Sequence, residues 1–545
     1  MKRLLLMFIL CGASYLSIAQ NCLDGNGAPI PNCEVCNNGI DDDGDGFIDC
    51  FDKKCSGTQV CDGGFVGPQT NCQVPLPDAP KFTLTLDFKT PDQVTTHLGR
   101  VVVGDLDRDG TPEMITTNRY ARTVTISDGV TGNTERVINT SFSPAWEELA
   151  IANVDNDGCA DIFVMSTGWR LFRYDCNLVE QWSVQLPGDP GMIGIADFGG
   201  DGKIEIYAKD AIYDAHTGVQ LIASAVNAAG NWSRTNGGPV AVDMDNITGL
   251  ELVLGCTIYQ VNINPSRTAN SGSLTILKTL PEYFTRNGAS GTSVADFDLD
   301  GNLDVLASGS TIAPGQNTTV FYWNPTKNTF LTFIETFGGD YTNGWKNGTG
   351  RINVADIDGD GLLDVSYVSG KYLYALGNDF KKKSWAPKVV FEETSGNTGC
   401  TLFDFNGDNS SEIVYRDERF LYIINGKTGA IYDQQTCVSR TNREYPIVVD
   451  VDADGSTEIC VTCRTVDFYP GPGADDNDFN TLSRSQFAQV RVFKSASEPW
   501  VPARRVWNQH GYFNVNIKDD LSIPKQQQRH QVKFSDTPIS CLGDP

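Results

Sequence analysis

The sequence predicts an all-β protein, an eight-bladed β-propeller with a small disulfide-rich module ahead of it. Two observations carry this. An aspartate-rich loop of one pattern recurs eight times, beginning at Asp105, Asn153, Asp197, Asp243, Asp296, Asp356, Asp404 and Asp450. The steps between copies are 48, 44, 46, 53, 60, 48 and 46 residues. A period of that length, with several strands per unit and almost no helical periodicity, is the mark of a radial repeat array. The second observation is that short Val- and Ile-rich runs flank the loops, as buried strands require. Arg100–Gly104 enters the first loop and Glu113–Thr117 leaves it; Pro446–Asp450 and Glu458–Thr462 do the same for the last. Eight loops argue for eight blades. Seven is the alternative if one copy is an insertion.

Within each loop, hard oxygen donors stand at positions 1, 3, 5 and 9, with Gly usually at 6. That spacing suits Ca²⁺, which prefers carboxylate and carbonyl oxygens. Four copies carry all four carboxylates: Asp105, Asp107, Asp109, Glu113; Asp296, Asp298, Asp300, Asp304; Asp356, Asp358, Asp360, Asp364; and Asp450, Asp452, Asp454, Glu458. The second copy opens with an amide, giving Asn153, Asp155, Asp157 and Asp161. The third has Gly199 at position 3, leaving Asp197, Asp201 and Glu205. The fourth offers Asp243, Asp245 and Glu251 but places Ile247 at position 5, which makes it the weakest. The seventh is Asp404, Asn406, Asp408 and Glu412, with Asn409 in the place of the Gly.

Other signals complete each unit. Asp128–Gly132, Asp214–Gly218 and Asn425–Gly429 are Asx–Gly turns that close hairpins further along their units. The last unit lacks an outer strand, and Lys81–Phe88 alternates well ahead of the first loop. We therefore expect that segment to close the ring. Strand–DxDxDG–strand units of this kind resemble the FG-GAP (integrin-α-like, VCBS-type) propeller repeat over about residues 80–500. The resemblance implies Ca²⁺ bound by the side chains at 1, 3, 5 and 9 and the backbone carbonyl at 7.

The net charge is −26. Loop ligand positions hold 28 of the carboxylates, and eight Ca²⁺ would return about sixteen positive charges. The acidic balance argues against nucleic acid as a partner. Residues 1–19 read as a signal peptide: Lys2 and Arg3, the apolar run Leu4–Leu10, then Ser17-Ile18-Ala19. Cys11 raises a lipoprotein reading, but Leu10 precedes it where a small residue is expected. No later stretch is long and apolar enough to span a membrane. The expectation is a secreted or cell-surface protein in an oxidising compartment.

Residues 20–78 form a Cys-rich acidic module with seven cysteines between Cys22 and Cys72. The odd count leaves one thiol for a partner elsewhere. Cys36–Cys50 encloses Asp41, Asp43, Asp45 and Asp49 in the same loop spacing. It resembles the NGxDDDxDGxxDC calcium-binding element found beside propellers, with zinc through Cys33 and Cys36 as the rival. The propeller is expected over 79–499. The tail, 500–545, contains Arg504–Phe513, and Trp507, His510 and Tyr512 there read as packing against the propeller or as a site. Cys460-x-x-Cys463 lies on an expected strand, which favours a structural role over a redox one.

The connections that enter the inner strands lie at the end away from the acidic loops. They carry Trp146, Trp232, Arg234, Tyr283, Arg286, Trp345, Arg440 and Tyr445. Aromatic rings and guanidinium groups on one rim suit a sugar with a carboxylate, or an extended peptide. There is no G-x-S-x-G, H-E-x-x-H or P-loop, and only four histidines. No catalytic residue is assigned. The reading is a non-catalytic binding or adhesion protein for a glycan or an extracellular protein, with a place as one subunit of a surface assembly as a further option. The alternative is a polysaccharide lyase or glycoside hydrolase acting on polyuronates, with Glu147, Glu148 or Glu444 as acid or base.

Overall fold

The computed structural model describes residues 82–527, apart from 97, 188–190, 225–237, 246, 256, 281–290, 311–316, 337–349, 370–371, 390–397, 440, 442–443, 466, 468–487 and 498. The expected signal peptide and Cys-rich module, with Asp41, Asp43, Asp45 and Asp49, fall outside the described residues. The chain divides into two units, 1–73 and 74–545. The second is an all-β, eight-bladed propeller.

Each blade is a four-stranded antiparallel sheet in simple sequence order, except the last. The innermost strands are Val101–Gly104, Pro144–Ala152, Ile193–Ala196, Val240–Val242, Thr292–Ala295, Asn353–Ala355, Cys400–Phe403 and Ile447–Val449. Second strands such as Glu113–Asn118 and Asp161–Ser166 are buried throughout. That is why they read as unbroken apolar or small-residue runs rather than alternating ones. Outer strands such as Thr134–Asn139 and Ser273–Thr279 are largely exposed.

The ring closes as the sequence suggests. Leu84–Lys89 pairs antiparallel with Ala488–Ser495 and becomes the fourth strand of the last blade. Its backbone also reaches the seventh blade, where Leu84 N–H donates to Asp433 Oδ2 at 2.7 Å. Closure of this kind ties the first part of the propeller to the last and gives the eighth blade its fourth strand.

Adjacent blades lock through the Asx–Gly turns. Gly132, Gly218 and Gly429 have φ of +71°, +75° and +69°. A ring from the preceding blade lies where a Cβ would stand: Phe88, Trp182 and Trp385, at 2.7, 2.7 and 2.6 Å. Trp182 Nε1–H donates to Ala215 O at 3.1 Å and Trp385 Nε1–H to Gly426 O at 2.8 Å. Glycine is required there both for left-handed backbone and for space.

The centre of the ring is filled by residues 500–527. Innermost strands present one unpaired edge to the axis, and buried N–H and C=O groups need partners. The tail supplies them to the inner strands of the first four blades and bonds next to those of the later ones. Trp507 exchanges two backbone hydrogen bonds with Val103, at 3.0 and 2.8 Å. Asn508 O accepts Ile151 N–H at 2.9 Å while its side-chain amide donates to Ile151 O at 3.2 Å. Gln509 Oε1 accepts Ile195 N–H at 2.7 Å, and Gln527 Nε2–H donates to Ala241 O at 3.1 Å. Asp450 N–H donates to Arg504 O, Val501 N–H to Phe405 O, and Arg351 to Tyr512 O. Phe513 packs into the cluster that holds Val294 of the fifth blade. The segment then turns back: Asn153 N–H donates to Leu521 O at 2.8 Å, and the Leu521 side chain sits where a Cβ on Gly104 would clash, at 2.7 Å.

Replacing Gln509, which is 1% exposed, by Leu keeps the volume but orphans the Ile195 N–H. Stability should fall by about 1–3 kcal/mol in a denaturant titration, with the midpoint reduced. The exposed control Gln181→Leu should stay within about 0.5 kcal/mol of the wild type. Equal midpoints for the two variants would contradict the role given to the tail.

Candidate metal centres

All eight acidic loops connect the first strand of a blade to the second, so they share one end of the ring. They are numbered here in chain order. The ninth residue of each is the first residue of the second strand: Glu113, Asp161, Glu205, Glu251, Asp304, Asp364, Glu412 and Glu458. In every loop one oxygen of that acid accepts the N–H of the second loop residue, at 2.7–3.2 Å. The sequence pattern had suggested only a ligand at position 9. The structure adds a loop-closing bond made by the same group.

The first residue braces the loop from the other side. Asp105 accepts Asp109 N–H at 3.1 Å and Gly110 N–H at 3.0 Å, and Asp197, Asp296 and Asp404 repeat the pair of bonds. Position 6 needs left-handed backbone. Its glycines, Gly110, Gly158, Gly202, Gly301, Gly361 and Gly455, have φ from +80° to +101°. Asn409 takes the same region at +66°, as Asn can. In loop 4 the left-handed residue is Gly249 at position 7, and Ile247 is 66% exposed. The apolar residue there turns to water and supplies nothing to the cluster.

The remaining oxygens converge. In loop 1, one oxygen from each of Asp105, Asp107, Asp109 and Glu113 lies within 4.8 Å of the others. Loops 4, 5 and 6 gather Asp243, Asp245 and Glu251; Asp296, Asp298 and Asp300; and Asp356, Asp358 and Asp360 in the same way. Asp304 Oδ1, Glu412 Oε1 and Asp450 Oδ1 are buried without a hydrogen-bond partner. Such an oxygen carries the full cost of desolvation. Burial, reinforced by neighbouring carboxylates, pushes Glu113, Asp304 and Glu412 up to about 8 and Glu458 to about 9. A divalent cation acts in the opposite direction and holds such groups ionised. These acidic clusters are therefore fit to hold metal ions.

Six loops receive a cationic side chain from outside the loop. Arg136 approaches Asp107 of loop 1 at 3.7 Å and Arg505 approaches Asp450 of loop 8 at 3.4 Å, and four loops are held more closely. Arg173 bridges Asp155 and Asp161 in loop 2, and Arg267 bridges Glu205 and Asp214 beside loop 3. Lys327 reaches Asp298 and Asp300 at 2.8 Å in loop 5, and Lys383 reaches Asp364 at 2.9 Å and Asp358 in loop 6. None of the four is legible from the loop pattern. The disulfide Cys159–Cys176 also pins loop 2 to a turn of its own blade, and Cys437–Cys463 joins the seventh blade to the eighth. Cys460 is buried as a free thiol, so Cys460-x-x-Cys463 is not a disulfide pair.

At the opposite end, the expected rim residues Trp232, Arg234, Tyr283, Arg286, Trp345 and Arg440 lie outside the described residues, as does the side chain of Trp146. Tyr445 is described and is 6% exposed, with its hydroxyl donating to His510 O at 2.8 Å. Its ring packs near Trp507 and His510 and beneath Arg100 and Arg351. Tyr445 is thus committed to the tail rather than presented at an open rim. Trp507 and Tyr512 are likewise buried. Glu148 accepts Ile193 N–H at 3.2 Å, and Glu444 is buried against Arg416 and Ser439. Both hold neighbouring segments in place. The side chain of Glu147 is not described.

Residues 296–367 match the model of the FG-GAP-like repeat, which takes in loops 5 and 6. No match was found among curated proteins. Among solved structures, the V. cholerae biofilm matrix protein Bap1 has a TM-score of 0.55 at 17% identity, covering 82% of this chain and 96% of its own. BBS1N in complex with ARL6DN scores 0.38 at 11% identity over 77% and 98% of the two chains, and BamB from Moraxella catarrhalis 0.31 at 12% over 72% and 85%. At these identities likeness extends to the fold alone, and the two lower scores carry no argument.

Removing one partner of the Arg416–Glu444 pair leaves a buried charge uncompensated. Glu444→Ala should lower stability by about 3–5 kcal/mol, read by denaturant unfolding. A variant as stable as the wild type would contradict the structural role of that carboxylate.

Proposed function

We propose that this chain is an exported, non-catalytic binding or adhesion protein of the bacterial cell surface. Ca²⁺ in the acidic loops stiffens its propeller, and the rim at the other end recognises a glycan or an extracellular protein. The observation that carries this reading is the division of the ring. One end is built from convergent carboxylates with orphaned oxygens, while the tail fills the axis. A substrate would find the centre of the ring occupied by Trp507, Asn508 and Gln509. The connections entering the inner strands remain the place where varied side chains can meet a partner. The fold shared with a biofilm matrix protein is in keeping with this reading. Among the described residues no helix is long and apolar enough to cross a membrane.

Calcium here belongs to the scaffold. The residues that would hold it are the carboxylates of loops 1, 4, 5, 6, 7 and 8, with one oxygen of the ninth residue already spent on closing its loop. Each occupied site should add roughly 2–3 kcal/mol when free Ca²⁺ is about 100-fold above its dissociation constant. Thermal unfolding followed in CaCl₂ and in EDTA should therefore show a large rise in midpoint with Ca²⁺. Identical midpoints would sink the metal assignment.

The partner is sought on arrays of glycans and matrix proteins, with the metal-loaded full chain. Combined alanine substitution of Arg234, Arg286 and Arg440 should abolish retention of the ligand found, while leaving the Ca²⁺-dependent midpoint unchanged. Retention equal to the wild type would remove the rim from the account. Incubation with polyuronates should yield no unsaturated products by ultraviolet absorbance, and clear turnover would establish the enzymatic alternative.

A further inference from the structure

Arg173 and Arg267 differ from the lysines at loops 5 and 6 in that each guanidinium reaches a backbone carbonyl as well as two carboxylates. The Arg173 side chain is 3% exposed, and its guanidinium contacts both Asp161, at 2.8 Å, and Asp155. The same group donates to His216 O at 2.8 Å and lies 3.2 Å from His216 Nδ1, in the turn of the next blade. Asp161 Oδ1, the oxygen left over after Val154 N–H is served by Oδ2, is the one that accepts Arg173 Nε–H. In loop 3 the corresponding oxygen, Glu205 Oε1, accepts from Arg267, whose side chain is 11% exposed. Arg267 Nε–H also donates to Asp214 Oδ2, and a third nitrogen approaches Ile204 O at 3.4 Å. Lys383 at loop 6 is 15% exposed and reaches Asp358 and Asp364 Oδ1 with one ammonium rather than a fork of donors. Lys327 at loop 5 is 49% exposed. Its ammonium sits on a flexible stem and can return to water without orphaning a buried group.

We propose that loops 2 and 3 carry a tethered guanidinium where the other loops accept a divalent cation, so that these two blades are held without metal. The inference rests on the reading that the remaining loops bind Ca²⁺. Three features converge on it. The oxygen that is orphaned in loops 5 and 7, at Asp304 and Glu412, is occupied by Arg in loops 2 and 3. The donor sets of these two loops are depleted, with the amide Asn153 at position 1 of one and Gly199 at position 3 of the other. Loop 2 has a further covalent brace in Cys159–Cys176. A divalent ion entering either cage would have to displace a buried, multiply bonded guanidinium or sit beside its charge, and both are unfavourable.

The test counts calcium. Full-length wild type and variants are equilibrated by dialysis against CaCl₂, and bound calcium per chain is measured by atomic emission. Asp157 and Asp201 are position-5 acids of loops 2 and 3, and Asp107 is the position-3 acid of loop 1. Asp157→Asn and Asp201→Asn should leave the count unchanged, whereas Asp107→Asn should lower it by one. Arg173→Met should raise the count by one if the variant folds. The exposed Asp variants decide the matter if it does not. Loss of one ion on Asp157→Asn or Asp201→Asn overturns the inference while leaving the calcium reading intact. A wild type that binds no calcium overturns both.

Discussion

The innermost strand of every blade has a neighbour on one side only. Eight such edges face one axis, and the strands of the first four blades and the eighth are largely buried there, where bulk water does not serve their peptide groups. Residues 500–527 meet that demand in the first four blades with their own backbone and with side-chain amides that imitate it. Asn508 accepts from Ile151 with its backbone carbonyl and donates back with its side-chain amide, and Gln509 accepts from Ile195 with Oε1, at 0% and 1% exposure. The tail therefore acts as a hub. Ring closure through Leu84–Lys89 holds the circumference, the hub holds the radius, and the acidic loops sit where the inner strands end.

This arrangement separates two kinds of acid. Position-9 carboxylates are part of the sheet, because each starts a strand and closes its loop through one oxygen. Positions 3 and 5 lie outside the strands, where an ion or a cationic side chain of the same chain can meet them. A cage can then be completed in two ways, by a divalent cation or by a side chain of this chain. Loop 1 shows four converging oxygen donors, while loop 2 shows a guanidinium between two of its acids. The ring keeps one geometry while its blades differ in what neutralises them. Such a scaffold can be metal-dependent as a whole without every blade needing an ion.

Much of the fold was legible in the sequence because the repeat is local. Carboxylate spacing marks each loop, Val and Ile runs mark the strands on either side, and the Asx–Gly turns mark hairpins. Even the closing strand was legible, though it runs Leu84–Lys89 rather than Lys81–Phe88. What was not legible depends on distance along the chain. Gln509 and Ile195 are 314 residues apart, and Asn508 and Ile151 are 357. No pattern in VWNQHGYF says that its amides stand in for peptide groups. Arg173, Arg267, Lys327 and Lys383 were hidden for a related reason, since they come from other strands and turns. Tyr445 reads as a rim residue from its aromatic ring and its place before an inner strand. The tail that buries it could not be seen in that local reading.

The hub is the central claim, and hydrogen exchange tests it in the intact protein. Peptides spanning 101–104, 149–153 and 193–196 contain the amides of Val103, Ile151, Asn153 and Ile195 that donate to the tail. If the tail holds the axis, these amides exchange only through global unfolding, as slowly as the buried second-strand amides of 113–118. Exchange orders of magnitude faster than those neighbours, in a chain that is otherwise folded, would show that the inner edges are open and that the tail is not the hub.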